Sequence, residues 1–382
     1  MRVLLAGSGS RGDVQPLIAL AVGLRAAGHD AVVAARPAYG HEAADLGVPF
    51  EAVGMDAATF IAAQGEEAGA VSPRVVSAFL EQEIDAQLER LPALAAGADR
   101  VIGAGMSFGA RSAAEARGVP FLAIVYTPNV LTAGRPRLPE PLEERVRRWR
   151  ALRGLDPLRE DLMRHAHPPE RALLAADPEL SGALDVPLWK PATGALLLDD
   201  PRPLSAEIEA FLAAGAPPVY IGFGSMAGTE PALGLGLVRE AVEAAGCRAL
   251  VVAAAGAAGA AGGEDRILVI GAAPHSRLFP RVAAVVHHGG AGTTAAAARA
   301  GVPQVILPHA FDQPLWAARA HRLGIAPPPI PARRVDAVAL AAALRASLDE
   351  PRFRERAREL GAALAARRGV DNAVAHVTGD LP

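Results

Sequence analysis

The sequence predicts an α/β protein of two doubly wound, parallel-sheet domains facing a cleft, and three observations lead there. Its 382 residues are enough to fill two or three cores. Short β-branched apolar runs alternate with alanine-rich helical stretches, the pattern of a parallel sheet with helices on both faces. A strand running into a glycine turn and then a helix occurs in each half. Residues 2–6 lead into Gly7-Ser8-Gly9-Ser10-Arg11-Gly12, and residues 282–286 lead into His287-His288-Gly289-Gly290-Ala291-Gly292-Thr293-Thr294.

Composition narrows the partners. Apolar residues make up 51%, charged residues 21%, and the formal net charge is −3, a globular profile that gives no support to nucleic acid. The single Cys247 excludes an internal disulfide framework and fits a reducing compartment. Arg11 and Asp13 interrupt the opening apolar run, so it does not read as a signal peptide, and the Ala/Gly-rich stretch 250–263 is too weakly apolar for a membrane span. The expected location is the cytoplasm.

In the first half, residues 2–6 are a buried strand, and residues 7–12 match G-x-G-x-x-G literally, Gly12 being the third glycine. A dinucleotide-binding reading follows, with Arg36 at the end of the second strand (30–35) as a partner for an NADP phosphate. Against it, Asp13 and Pro16 after the third glycine read as a helix start, capped by Asp13 with Pro16 in the first turn, and no hydride-transfer site follows. A short strand at 48–53 precedes a weakly periodic loop, 55–71, which is a candidate acceptor wall. A helix near 73–96, strands at 100–104 and 119–126, and an arginine-rich helix from Leu142 continue the domain. His165 and His167, beside Pro168 and Pro169, read as turn residues.

Proline-rich residues 188–203 mark the change of domain, giving residues 1–198, 199–365 and a tail, 366–382. Asp199-Asp200 before a proline reads as linker and cap rather than a metal pair, and no metal is expected. The second half opens with a helix, 205–214, and a strand, 218–223, before Gly224-Ser225-Met226. Strands at 248–253 and 266–270 follow, with a loop at 271–277 that includes Ala273. In the central stretch, the free amides and positive dipole end of the helix after Gly289, Gly290 and Gly292 suit a phosphate or diphosphate. Past the strand 303–308, Asp312 and Gln313 stand at the next helix start, a carboxylate and an amide fit for a polyhydroxylated group.

The run HHGGAGTT, then AGVPQVILP, then DQPLWAAR resembles the donor-binding signature of the GT-B nucleotide-sugar-dependent glycosyltransferases, in particular the bacterial antibiotic glycosyltransferases and the sterol glucosyltransferases. GSRGDVQPLIALAVGLRAAGH and TGALLLDDPRPL resemble the family's acceptor-side loop and interdomain segment. The resemblance implies two Rossmann-like domains and metal-independent, inverting transfer of a hexose or deoxyhexose from a UDP- or TDP-sugar to a hydroxyl of a hydrophobic small molecule. It makes Asp13 the catalytic base with Ser10 beside it, and Ser225 a contact to the donor phosphates. It also makes Ala273 a base contact, and Asp312 and Gln313 partners of the sugar. His287 or His288, the amides of Gly289, Gly290 and Gly292, and the Thr293 hydroxyl would neutralise the departing diphosphate. Of the two histidines the family pattern favours His287. The nucleotide sugar is a co-substrate, so no cofactor is expected. The alternatives are an NADP-dependent dehydrogenase and a catalytically inactive GT-B partner protein.

Overall fold

The computed structural model describes residues 1–64, 72–132, 135, 137–182, 188–223, 234–252 and 266–379. The chain divides into two compact units. One comprises Met1–Pro178, Gly182–Leu198 and Arg368–Pro382, the other Glu179–Ser181 and Asp199–Arg367.

The first unit holds a parallel sheet of β1 (Arg2–Ser8), β2 (Asp30–Ala35), β3 (Phe50–Ala52), β4 (Arg100–Gly105), β5 (Phe121–Val125) and β6 (Ala172–Leu174), in the order β3-β2-β1-β4-β5-β6. From Val3 to Ser8 in β1 and from Phe121 to Val125 in β5 every residue is buried without alternation, as strands covered on both faces require. The sheet order reverses between β1 and β4, so the loops after these two strands diverge and leave a crevice at their carboxyl ends. β6 has no counterpart in the expected strands. Its three residues are too few to show a period, and the strand is defined by its pairing with β5. β3 is half the expected length, because only residues 50–52 meet the β2 ladder.

The Arg11–Ala26 helix packs its buried Leu17, Ile18, Leu20 and Leu24 on this sheet. Its N-cap is Ser10, and Asp13 is the third helical residue, reaching back from inside the turn; the cap expected at Asp13 is thus shifted. Pro16 falls in the second turn rather than the first. The Gly369–Thr378 helix belongs to the same unit, and its Ala373 and Val377 join the same core. A methyl group on Gly23 would stand 2.5 Å from Val370 Cγ1, so the absence of a side chain there lets the two helices approach. Of the two histidines expected in a turn, His165 lies inside the Leu162–Ala166 helix and His167 ends it as the C-cap. Both are buried: His165 meets the Ser112 hydroxyl at 3.1 Å, and His167 meets the carbonyls of Met163 and Gly105 at 3.1 and 3.0 Å.

The second unit holds a parallel sheet of β7 (Val219–Gly222), β8 (Ala249–Val252), β9 (Ile267–Ile270), β10 (Ala284–His287) and β11 (Gln304–Ile306), ordered β11-β10-β7-β8-β9. Its order reverses between β7 and β10. His287 is the last residue of β10, one place further along the strand than the apolar run suggests. The Gly289 amide donates to His287 Nδ1 at 3.0 Å, so the ring proton sits on Nε2, which donates to Gln304 Oε1 at 2.8 Å. Gln304 Nε2 in turn donates to the Thr294 carbonyl at 3.3 Å, and Thr294 Oγ1 to the Gly290 carbonyl at 2.9 Å. One fully buried imidazole thus ties β10, β11 and the turn, and through Gln304 the Ala291–Arg299 helix.

Burial first, then the neighbouring His288, drives the His287 pKa down from 6.5 to about 3, so the ring is neutral in the fold. Burial likewise lowers His165 to about 3 and His288 to about 4. Between these values and 6.5 the unfolded chain binds protons that the folded chain refuses. Stability is therefore full above pH 6.5 and is lost as the pH falls toward about 3. The slope approaches about 1.4 kcal/mol per pH unit for each such histidine. Denaturant titrations between pH 7 and pH 4 should show a shallower acid loss for His287→Gln than for the parent chain. Equal slopes would mean that His287 is not held neutral.

Candidate active site

Both sheets present a candidate site at their order reversal. In the second unit, Gly289 (φ 90°) makes the turn after β10, and Gly290 is the N-cap of the Ala291–Arg299 helix. The first-turn residues Ala291, Gly292 and Thr293 are partly exposed, and no acidic residue occupies that turn. Free amides and an uncompensated positive helix end remain, which is an anion site. A methyl group on Gly289 would lie 2.8 Å from Ile306 Cγ2 and 3.1 Å from the Gln313 carbonyl, so this turn and the loop after β11 close on each other.

The two histidines differ in how their ring nitrogens are used, and the one the family pattern favours has both committed. His287 is sealed in the core with both ring nitrogens spent on protein groups. His288 lies over the turn, its Nε2 2.6 Å from where a Gly290 methyl would stand, and its buried Nδ1 has no hydrogen-bond partner. Burial, then the charge of His309, lowers its pKa to about 4. It is the imidazole with a nitrogen to spare.

Asp312 caps the Gln313–Arg322 helix by position. Its Oδ2 accepts the Trp316 indole N–H at 2.8 Å, and burial raises its pKa against that hydrogen bond. Gln313 is buried, and its Oε1 accepts the His309 and Ala310 amides at 2.7 and 3.1 Å. Half of its amide thus shapes the loop. Phe311, immediately before Asp312, is the only non-glycine residue at positive φ (58°) among the described residues, and it is 88% exposed. Sequence reasoning passed over Phe311 and Trp316. For Trp316 the signal was present, since Asp312 and Trp316 stand i, i+4 on one helix face. Ala273 lies in the loop between β9 and the His275–Leu278 helix, half-buried. Ser225 lies outside the described residues.

In the first unit the carboxylate of Asp13 stands at the β1/β4 reversal. Its Oδ2 accepts the Ser10 amide at 2.7 Å and the Ser10 hydroxyl at 2.9 Å. Methyl groups on Gly9 and Gly105 would lie 2.3 and 2.9 Å from its two oxygens, so two glycines at positive φ (133° and 62°) open the space it fills. Tyr126 donates its hydroxyl to the Asp13 carbonyl at 3.0 Å; burial, then the Asp13 charge, holds that phenol well above its ordinary range. The dinucleotide reading of this loop fails on the same geometry. Where a pyrophosphate would need the amides of the helix start, the protein's own carboxylate already accepts one, and Gly12 is an exposed residue of the first turn. Arg36 lies 3.9 Å from the buried Glu83 and over the ring of Phe79. Among the described residues no group of three or more His, Cys, Asp or Glu could hold a metal ion, and no helix is long and apolar enough to cross a membrane.

Residues 3–134 match the glycosyltransferase family 28 N-terminal domain, and residues 251–378 the erythromycin biosynthesis protein CIII-like C-terminal domain. The chain is 38% identical to glycosyltransferase GtfE of Amycolatopsis orientalis, with 85% of each chain covered. It is 36% identical to the O-mycaminosyltylonolide 6-deoxyallosyltransferase of Streptomyces fradiae, covering 98% of this chain and 96% of that one. Its fold is that of spinosyn rhamnosyltransferase SpnG complexed with thymidine diphosphate, with a TM-score of 0.70 at 20% identity over 99% of this chain and 100% of the other. Two parallel-sheet units, each with a glycine turn at its order reversal, and relatives of this identity over nearly the whole length lead to one conclusion: the chain belongs to the GT-B nucleotide-sugar-dependent glycosyltransferases, among the bacterial antibiotic glycosyltransferases.

Proposed function

We propose that this glycosyltransferase moves a hexose or deoxyhexose from a TDP- or UDP-sugar to a hydroxyl of a hydrophobic natural product, inverting the anomeric centre. The observation that carries the reading is the opposite electrostatic character of the two helix starts. The helix after Gly290 has open amides and no acid in its first turn, whereas the helix after Ser10 carries Asp13 there. One end suits a departing diphosphate and the other suits a proton. The relative named for 6-deoxyallosyl transfer to O-mycaminosyltylonolide supports a deoxysugar and a polyketide-like acceptor, and the thymidine diphosphate on the SpnG fold supports TDP.

In this reading the acceptor oxygen attacks the anomeric carbon as the bond to the diphosphate breaks, a single displacement that inverts configuration. Positive character builds at the sugar and negative charge on the leaving group. The amides of Gly290, Ala291 and Gly292, the Thr293 hydroxyl and His288 meet that negative charge, so protein groups do the work and no metal is assigned. Asp312 and the free end of Gln313 hold sugar hydroxyls, and Ala273 borders the pyrimidine. Asp13 takes the acceptor proton, oriented by the Ser10 hydroxyl that already donates to it. A carboxylate is a weak base, so Asp13 acts late, as the attacking hydroxyl turns acidic.

Two measurements test the assignment. Asp13→Asn keeps the cap and the shape, so stability and donor binding should hold while turnover drops by roughly two orders of magnitude or more; turnover within a few-fold of the parent would remove Asp13 as the base. Asp312→Ala and Gln313→Ala should weaken use of the intact nucleotide sugar far more than binding of thymidine diphosphate, read as KM for the donor against Kd for the diphosphate. Because Gln313 also pins His309 and Ala310, its substitution should lower the melting temperature as well. Equal losses for both ligands would reduce the pair to loop supports.

A further inference from the structure

We propose that one face of the Pro73–Leu94 helix, through Glu83 and Gln87, is the positioning element for the Asp13 carboxylate. The inference rests on the reading of Asp13 as base. Glu83 is 5% exposed, and its two oxygens hold two different loops: Oε2 accepts the Ser8 hydroxyl at 2.9 Å and Oε1 the Met55 amide at 3.1 Å. A methyl group on Gly54 (φ 84°) would stand 2.2 Å from Oε1, so a glycine there gives the carboxylate its berth. One turn along the same helix face, Gln87 is 3% exposed and fastens a third loop. Its Oε1 accepts the Gly109 amide at 2.9 Å and its Nε2 donates to the Met106 carbonyl at 3.1 Å.

These three loops leave β1, β3 and β4, and two of them form the walls of the Asp13 berth. The Met106 amide donates to the Ser8 carbonyl at 2.7 Å, which locks the β1 loop to the β4 loop beside Gly9 and Gly105. Asp13 is packed so closely against those glycines that a shift of either loop moves its carboxylate. A buried carboxylate and a buried amide, each with both ends of its polar group used on loop backbone or a loop hydroxyl, make a costly arrangement for stability alone. The same contacts make sense as a register for a base that must stand within about 0.5 Å of its productive position beside the hydroxyl. Arg36, 3.9 Å from Glu83, offsets its charge at the end of β2.

The test compares Glu83→Ala, Glu83→Gln and Gln87→Ala in the full chain, with one donor and one acceptor, below the melting temperature of each variant. Glu83→Ala and Gln87→Ala should lower kcat about 10- to 100-fold while donor KM and the Kd for thymidine diphosphate stay within about two-fold. Glu83→Gln keeps groups able to bond Ser8 and Met55 and should recover most of the rate. A purely structural role predicts the opposite: lower melting temperatures with an unchanged kcat for the folded fraction. If Glu83→Ala does not fold, Ser8→Ala, which removes one of the two Glu83 bonds, decides instead by the same split of kcat against diphosphate affinity. Folded variants with kcat within about two-fold of the parent, or losing diphosphate affinity in parallel with rate, overturn the inference. Asp13→Asn separates the two claims. If it is inactive while Glu83→Ala and Gln87→Ala are active, only the positioning role falls; if it is active, the base assignment falls.

Discussion

The hydrogen bond from the Gly289 amide to His287 Nδ1 fixes the glycine turn of the second unit. It uses the one acceptor nitrogen of a neutral imidazole to hold the first residue of the turn after His288. The other ring nitrogen reaches Gln304 on the next strand. With both ends committed, the turn cannot swing, and the amides that follow it point from a set place. A charged His287 could not accept from Gly289, so the neutrality that burial enforces is a condition of the turn's shape. Preorganised donors cost nothing to rearrange when charge develops on a leaving group, and in the proposed function this is what the buried His287 contributes, by holding the turn.

The first unit solves a different problem with the same kind of sheet. A parallel sheet offers its carboxyl edge at the point where strand order reverses, but a helix start there attracts anions. Asp13 satisfies that helix start from within, through the Ser10 amide, and presents the same carboxylate at the crevice. The positive-φ glycines on either side, Gly9 and Gly105, are the steric condition for this. Of the glycines in the literal G-x-G-x-x-G, Gly9 makes room for the acid while Gly7 lets Leu17 approach the strand, so the likeness to a dinucleotide fingerprint is one of pattern without the open anion site.

What the sequence showed and hid follows the range of the interactions. Buried strands such as β1, β4 and β10 announce themselves by contiguous apolar residues, and the two glycine turns by composition, so both sheets and both candidate loops were legible. β6 was not, since three residues take their identity from the neighbour they pair with. The role of His287 was hidden because Gln304, its partner, lies 17 residues on, in the next strand of the sheet, and no local spacing marks the pair. The same holds for Glu83, whose partners Ser8 and Met55 are 75 and 28 residues away. By contrast, the Asp312–Trp316 hydrogen bond is a helical i, i+4 contact that was readable in principle. Local chemistry is visible in one dimension; the supports that aim it are not.

The most direct test of the account is whether the histidine that senses the diphosphate is His288 and not His287. With the ring nitrogens labelled by ¹⁵N-histidine, thymidine diphosphate is added and the two imidazoles are followed by NMR, each assigned by its His→Gln variant. The account predicts that the His288 resonances shift and that its pKa rises from about 4 as the ligand's negative charge arrives, while His287 keeps its Nε2-protonated signature throughout. A response confined to His287, or saturating diphosphate binding that leaves His288 unmoved, would contradict it.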